Sequence, residues 1–217
     1  DEGPSQNGIS HFLEHMVFKG NRNRNVREIA QSLESLGGYL NAFTTKEQTC
    51  FYARVLDSDI GQAMDVLADI VLNATFEKRE MEKEKLVVIE ELKNSEDDPE
   101  DIIHDYFERS IFPEHSHGYP IIGTEENVKR FKREHLRSHV VEHYLPSRIV
   151  VSAAGHVDHD DLVRLVTRYF KRLRNGGGDQ VRHRLAAREV GRGYLGGKCG
   201  HTRGRKSMSA ARKPAAV

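Results

Sequence analysis

The chain has 217 residues, with 33 Lys and Arg balanced by 33 Asp and Glu and 37% hydrophobic residues, enough for one large domain or two small ones. No run of about 20 apolar residues occurs, which excludes a transmembrane helix. Cys50 and Cys199 show neither disulfide-framework nor metal spacing, which favours a reducing compartment, cytoplasmic rather than secreted, with the mitochondrial matrix also compatible.

Along the chain, Ser10 is expected to cap a first helix that runs to about Phe18. Asn25 starts the next one, with Val26, Ile29, Ala30, Leu33 and Leu36 at helical spacing and Gly37 stopping it. Tyr39 to Thr45 and Gln48 to Leu56 read as a hairpin, in which Thr49, Phe51, Ala53 and Val55 alternate with polar positions and Cys50 is a core thiol. Asp57 or Ser58 caps a helix with an apolar stripe of Ile60, Met64, Leu67, Ile70 and Val71. A long helix from Glu77 to about Asp97 follows, and Leu86, Val87, Val88 and Ile89 point it inward. Pro99 opens another helix through Ile102, Ile103, Tyr106 and Phe107. After a loop from Phe112 to Gly123, Thr124 caps a short helix and a further helix fills Arg133 to Tyr144. Ile149 to Ala153 is a β-branched run expected to be a buried strand, and Asp158 caps the last helix. Helices mixed with antiparallel strands predict an α+β layered fold.

His11-Phe12-Leu13-Glu14-His15 carries the chemistry. Residues four apart on a helix lie about one turn apart on one face, so both imidazoles can reach one metal ion with Glu14 on the same side. The order H-x-x-E-H is the inverzincin arrangement of zinc peptidases. The pattern occurs twice, however: His139-Val140-Val141-Glu142-His143 repeats it, with His135 one turn earlier. A catalytic zinc site needs a third protein ligand and an open position for water. Only the first motif is followed by a carboxylate-rich helix, where Glu84 and Glu91 share a face and Glu90 is rotated by roughly 100°. One carboxylate can bind the metal while its partner steadies a ligand from behind. His135, His139 and His143 are accordingly expected to be partly exposed helix histidines.

HFLEHMVFKG at residues 11–20, GGYLNAFT at 37–44, EKEKLVVIEE at 82–91, GYPIIGTEE at 118–126 and RIVVSAAG at 148–155 together resemble the pitrilysin/insulinase family of inverzincin metallopeptidases. The family includes bacterial processing-type proteases and the β subunit of mitochondrial processing peptidase, and the resemblance covers about residues 8–170. It implies an α/β roll with helices on one face of a mainly antiparallel sheet, incomplete here at both ends. It further implies Zn2+ as cofactor, His11, His15 and Glu91 as its ligands, Glu14 as general base, and Glu84 as a supporting acid of the catalytic site. Asn41, Ala42 and Phe43 match the edge strand that holds substrate, where backbone pairing tolerates varied peptide sequences.

Residues 176–217 hold ten Lys and Arg against two Asp and Glu, so the balanced total conceals an acidic first part and a basic end. The expected division is a peptidase domain at 1–174, short of strands at its start, and a Gly/Arg-rich, disordered tail at 175–217, either appended or the product of a disrupted reading frame. The tail allows nonspecific phosphate contact, but no nucleic-acid motif accompanies it. The expected activity is zinc-dependent endopeptidase cleavage of extended peptides, with a homologous second half or subunit as partner. The alternative is a non-catalytic or truncated subunit that binds zinc and a partner half without turnover of its own.

Overall fold

A computed structural model describes residues 2–171 and 173. Its elements are α1 (Ile9–Val17), α2 (Val26–Glu34), β1 (Tyr39–Thr44), β2 (Thr49–Arg54), α3 (Ile60–Asn73), α4 (Lys78–Asp97), α5 (Pro99–Ile111), α6 (Glu125–Arg130), α7 (Arg133–His143) and α8 (His159–Phe170). The strands form an antiparallel hairpin in register from Tyr39 opposite Arg54 to Thr44 opposite Thr49. The fold is thus mixed α+β, helices around a small antiparallel sheet, as the sequence predicts. No helix among the described residues is long and apolar enough to cross a membrane. The expected basic tail at 175–217 lies outside the described residues.

α1 runs through the middle of the core. Ile9, Phe12, Leu13, Met16 and Val17 are all buried, and a large aliphatic or aromatic side chain contributes about 1.5–3 kcal/mol when fully buried. Phe12 stacks on Phe131 at 5.8 Å between ring centroids, while Val88 and Ile89 of α4 and Leu136 of α7 close the same cluster. Burying a helix on so many sides lets its remaining polar positions, His11, Glu14 and His15, be held by neighbours rather than by water.

The start of α1 departs from expectation. Ser10 does not cap it; the N-cap is Gly8, at φ 91. A Cβ at Gly8 would lie 2.4 Å from the Ile122 carbonyl oxygen, so the close approach of two backbones requires glycine here. The capping anion is brought in by the fold rather than supplied by the adjacent residue: the Glu2 carboxylate, six and eight residues back, accepts from the Gly8 N–H at 2.7 Å and the Ser10 N–H at 2.8 Å. A negative group at a helix N-terminus satisfies orphan donors and complements the helix dipole.

Other boundaries follow local chemistry. Asn25 and Glu28 form a reciprocal capping box, at 3.0 and 2.7 Å, and Gly37, at φ 71, ends that helical turn. Asp98, Thr124 and Asp158 cap α5, α6 and α8.

Three expectations fail for tertiary reasons. Residues 149–153 are not a strand: Val150 is 91% exposed, and no described strand pairs with the run. A β-branched sequence forms a strand only where a neighbour supplies hydrogen bonds and packing. Leu86 and Val87 face outward while Val88 and Ile89 are buried, because α4 turns only one stripe to the core. Cys50 is half-buried rather than a core thiol.

The second H-x-x-E-H motif is also placed differently from expectation, since His139 is buried, at 7% exposure. Its Nε2 lies 3.3 Å from Ser10 Oγ, and its ring centroid is 4.4 Å from that of His143. Burial, then the charge of His143, holds His139 down to about 4. The unfolded chain binds this proton near pH 6.5, so stability is complete above that value and falls as pH drops from 6.5 towards 4. The expected loss is about 3 kcal/mol. Thermal melts at pH 7 to 4 should show a shallower acid limb for His139→Gln than for the parent; parallel limbs would contradict the assignment.

Candidate metal centre

His11 and His15 stand on one face of α1, with ring centroids 4.7 Å apart. Glu91, on α4, reaches across to both: its Oε1 is 3.6 Å from His11 Nε2 and its Oε2 is 3.4 Å from His15 Nε2. The ligand atoms of these three residues all lie within 4.8 Å of one another, and no other such group of three occurs among the described residues. Donors around a tetrahedral zinc at about 2.0–2.2 Å sit roughly 3.3 Å apart, so the observed separations suit a small cation. Two imidazoles and one carboxylate are also a donor set used by catalytic zinc. The centre can admit a further ligand, because the Glu91 side chain is 45% exposed.

Glu84 lies one layer behind, on the same face of α4. It is buried, at 5% exposure, and its Oε1 accepts from His15 Nδ1 at 2.9 Å. Its Oε2 takes the ammonium of Lys19 at 2.7 Å. With Nδ1 as donor to Glu84, His15 turns its Nε2 towards Glu91 and His11. Glu84 therefore steadies a ring and does not face the Nε2 side, where a reacting group would stand.

The charges report a centre built for a cation. Burial works against a charged His15, but hydrogen bonds and charge from Glu84 and Glu91 outweigh it and raise the imidazole to about 9. The imidazoles of His11 and then His15 beside it hold Glu91 far below the usual carboxylate range. Burial likewise opposes an ionised Glu84, and His15 and Lys19 together keep it below its ordinary value. Without metal, a protonated His15 supplies positive charge between the two carboxylates.

Glu14 emerges from the same helix on the side of the hairpin. Its Oε2 accepts from Thr44 Oγ1 at 2.5 Å, and Thr44 Oγ1 is 3.2 Å from Thr49 Oγ1. β1 has β2 on one edge and no described strand on the other. Asn41 and Phe43 are exposed and Ala42 is buried, and the Asn41 side-chain oxygen accepts the Ala42 N–H at 2.9 Å. A docking peptide would have to displace that contact.

The structure thus gathers His11, His15, Glu91 and Glu84 into one cluster and sets Glu14 against the end of β1. At the second motif no third ligand among the described residues joins His139 and His143; the Arg148 guanidinium lies 3.1 Å from His143 Nδ1 instead. Sequence reasoning missed Lys19 and Thr44. Lys19 was within reach, being four residues after His15 and so over the same side of the helix. Thr44 carried no local signal beyond its place at the end of β1.

Among solved structures, the chain resembles a protease from Helicobacter pylori, with TM-score 0.77 and 21% identity over 84% of this chain and 44% of that one. It also resembles a peptidase M16 inactive domain from Pseudomonas fluorescens, with TM-score 0.70 and 17% identity over 80% of this chain and 44% of the other. At such identities these matches establish the fold alone. In sequence, the chain is 48% identical over 169 residues to an uncharacterized zinc protease of Bacillus subtilis, covering 78% of this chain and 41% of the relative. It is 41% identical over 172 residues to a protein of Arabidopsis thaliana described as probable mitochondrial-processing peptidase subunit beta, covering 79% of this chain and 32% of the relative. The chain therefore spans about two-fifths or less of the length of these curated relatives. The family model for the peptidase M16 inactive domain matches residues 130–194, further along than the resemblance in the sequence extends. The model for insulinase (peptidase family M16) matches residues 1–125, more than half of the chain, and zinc is the metal its relatives' names carry. The chain belongs to the insulinase family of peptidases, M16.

Proposed function

We propose that this chain carries the zinc centre of a metalloendopeptidase that cleaves extended peptides. His11, His15 and Glu91 would hold the metal; the single observation that carries this reading is the convergence of their ligand atoms. Zinc bound there would supply Lewis-acid activation of water and of the scissile carbonyl.

The chain's own residues supply the rest. Glu14 takes a proton from the attacking water and returns it to the leaving amine. Thr44, by donating to Glu14 Oε2, holds that carboxylate against the strand on which substrate would lie. An extended peptide adds to the open edge of β1, where Asn41 releases the Ala42 N–H and offers its own amide to the peptide backbone. Glu84 keeps the His15 ring turned so that Nε2 faces the metal position.

A homologous second half or subunit completes the enzyme in this reading, supported by the two-fifths share of the relatives' length that this chain spans. A reducing compartment suits the paucity of cysteines, and the mitochondrial name of the Arabidopsis relative is compatible with the matrix.

The test is hydrolysis of an unstructured peptide by the full chain, alone and mixed with a homologous half, before and after chelation and zinc return. Cleavage lost on chelation and restored by zinc is the expected result. Cleavage only in the mixture identifies an incomplete subunit. One equivalent of bound zinc with no cleavage in either arm would overturn the enzyme reading and leave a zinc-binding, non-catalytic subunit.

A further inference from the structure

Lys19 has no place in the chemistry above, yet its ammonium is only part-exposed and lies 2.7 Å from Glu84 Oε2. Glu84 is itself buried and spends its other oxygen on His15 Nδ1, at 2.9 Å. We propose that Lys19 is a positioning residue of the metal centre, which clamps the Glu84 carboxylate in the one orientation that holds the His15 ring. This inference rests on the zinc reading for its consequence, though the clamp itself is a feature of the metal-free fold.

The constraint is geometric. A glutamate on a helix has three rotatable side-chain bonds, and one hydrogen bond to an imidazole leaves the carboxylate free to swing. A second bond from the opposite side, to the other oxygen, removes that freedom. Lys19 lies just beyond the C-cap of α1, and its backbone N–H is tied to the Met16 carbonyl at 3.1 Å, so its stem starts from a fixed point one turn beyond His15. Both ends of the relay therefore belong to α1 and the turn that ends it, and α4 inserts Glu84 between them. A buried carboxylate also needs full hydrogen bonding to tolerate its surroundings; deprived of Lys19, Glu84 gains by turning towards solvent and abandoning His15. Groups that orient a metal-binding histidine typically change metal affinity 10–100-fold when removed. For a residue one step further out, the lower end of that range applies.

The experiment is competitive zinc titration against a chromophoric chelator for the full chain and its Lys19→Met, Lys19→Arg, Glu84→Gln and Lys19→Met/Glu84→Gln variants, with thermal melts of the metal-free proteins. Lys19→Met is expected to weaken zinc binding about tenfold, Lys19→Arg to restore most of it, and Lys19→Met to add nothing once Glu84 is already Gln. A purely structural lysine would instead lower the melting temperature and leave zinc affinity unchanged, which overturns the proposal, as would additive effects in the double variant. Crystal structures of metal-free parent and Lys19→Met decide the clamp even if the parent binds no zinc. Glu84 turned away from His15 in the variant supports it, and Glu84 unmoved overturns it. Absence of zinc binding in the parent would, separately, sink the metal reading.

Discussion

Glu14→Gln should retain zinc at the parent's stoichiometry and lose peptide hydrolysis by a factor of about 10²–10⁴, the usual contribution of a positioned general base or acid. The substitution keeps the side chain's length and lets Thr44 still donate, now to an amide oxygen, so the strand contact survives. It leaves the three converging ligands untouched, because Glu14 is not among them. Only the ability to accept and return a proton disappears. The comparison is made in whichever assembly cleaves, with zinc content measured on the same sample. Hydrolysis within a few-fold of the parent would place the base elsewhere, and a parallel loss of zinc would make Glu14 part of the metal site.

The second large effect belongs to Glu91. Its two oxygens straddle the Nε2 atoms of both histidines, at 3.6 and 3.4 Å, so Glu91→Gln should weaken zinc binding by more than about 100-fold, beyond the range for outer partners. Glu90→Gln is the matched control. Glu90 is its neighbour on α4 but sits on the exposed side, where it pairs with Lys93, and zinc affinity should be unchanged. Equal losses in the two variants would mean that charge on the helix, rather than a specific ligand, draws in the metal. A loss confined to Glu84→Gln would exchange the roles of the two acids.

His11 and His15 are legible in the sequence because helix periodicity alone puts them side by side. Glu84 and Glu91 are legible as a pair on one face, but their roles are not. Spacing within a family separates them in sequence, and the structure separates them by which nitrogen of His15 each one faces. The duplicate motif shows why pattern is insufficient: His139 and His143 repeat the spacing of His11 and His15, yet α7 turns His139 into the core against Ser10, and no acid among the described residues is near enough to make a third ligand. Capping by Asn25, Asp98, Thr124 and Asp158 is readable since each acts within three residues. Glu2 at the start of α1 is not, because its capping role depends on how the chain folds back rather than on the residues beside it. Residues 149–153 have the composition of a strand but lack a partner, and composition cannot supply one.

The open edge of β1 has a colloidal consequence. Backbone donors and acceptors that accept a peptide without regard to its side chains cannot tell a substrate from another copy of the same protein. Two such edges would satisfy each other as readily as they would the extended peptide proposed to add there. Under the proposed function, self-association would compete with substrate for the same groups and grow with protein concentration. Receptivity to many sequences and a tendency to stick to itself would then be one property of this surface, seen dilute or concentrated.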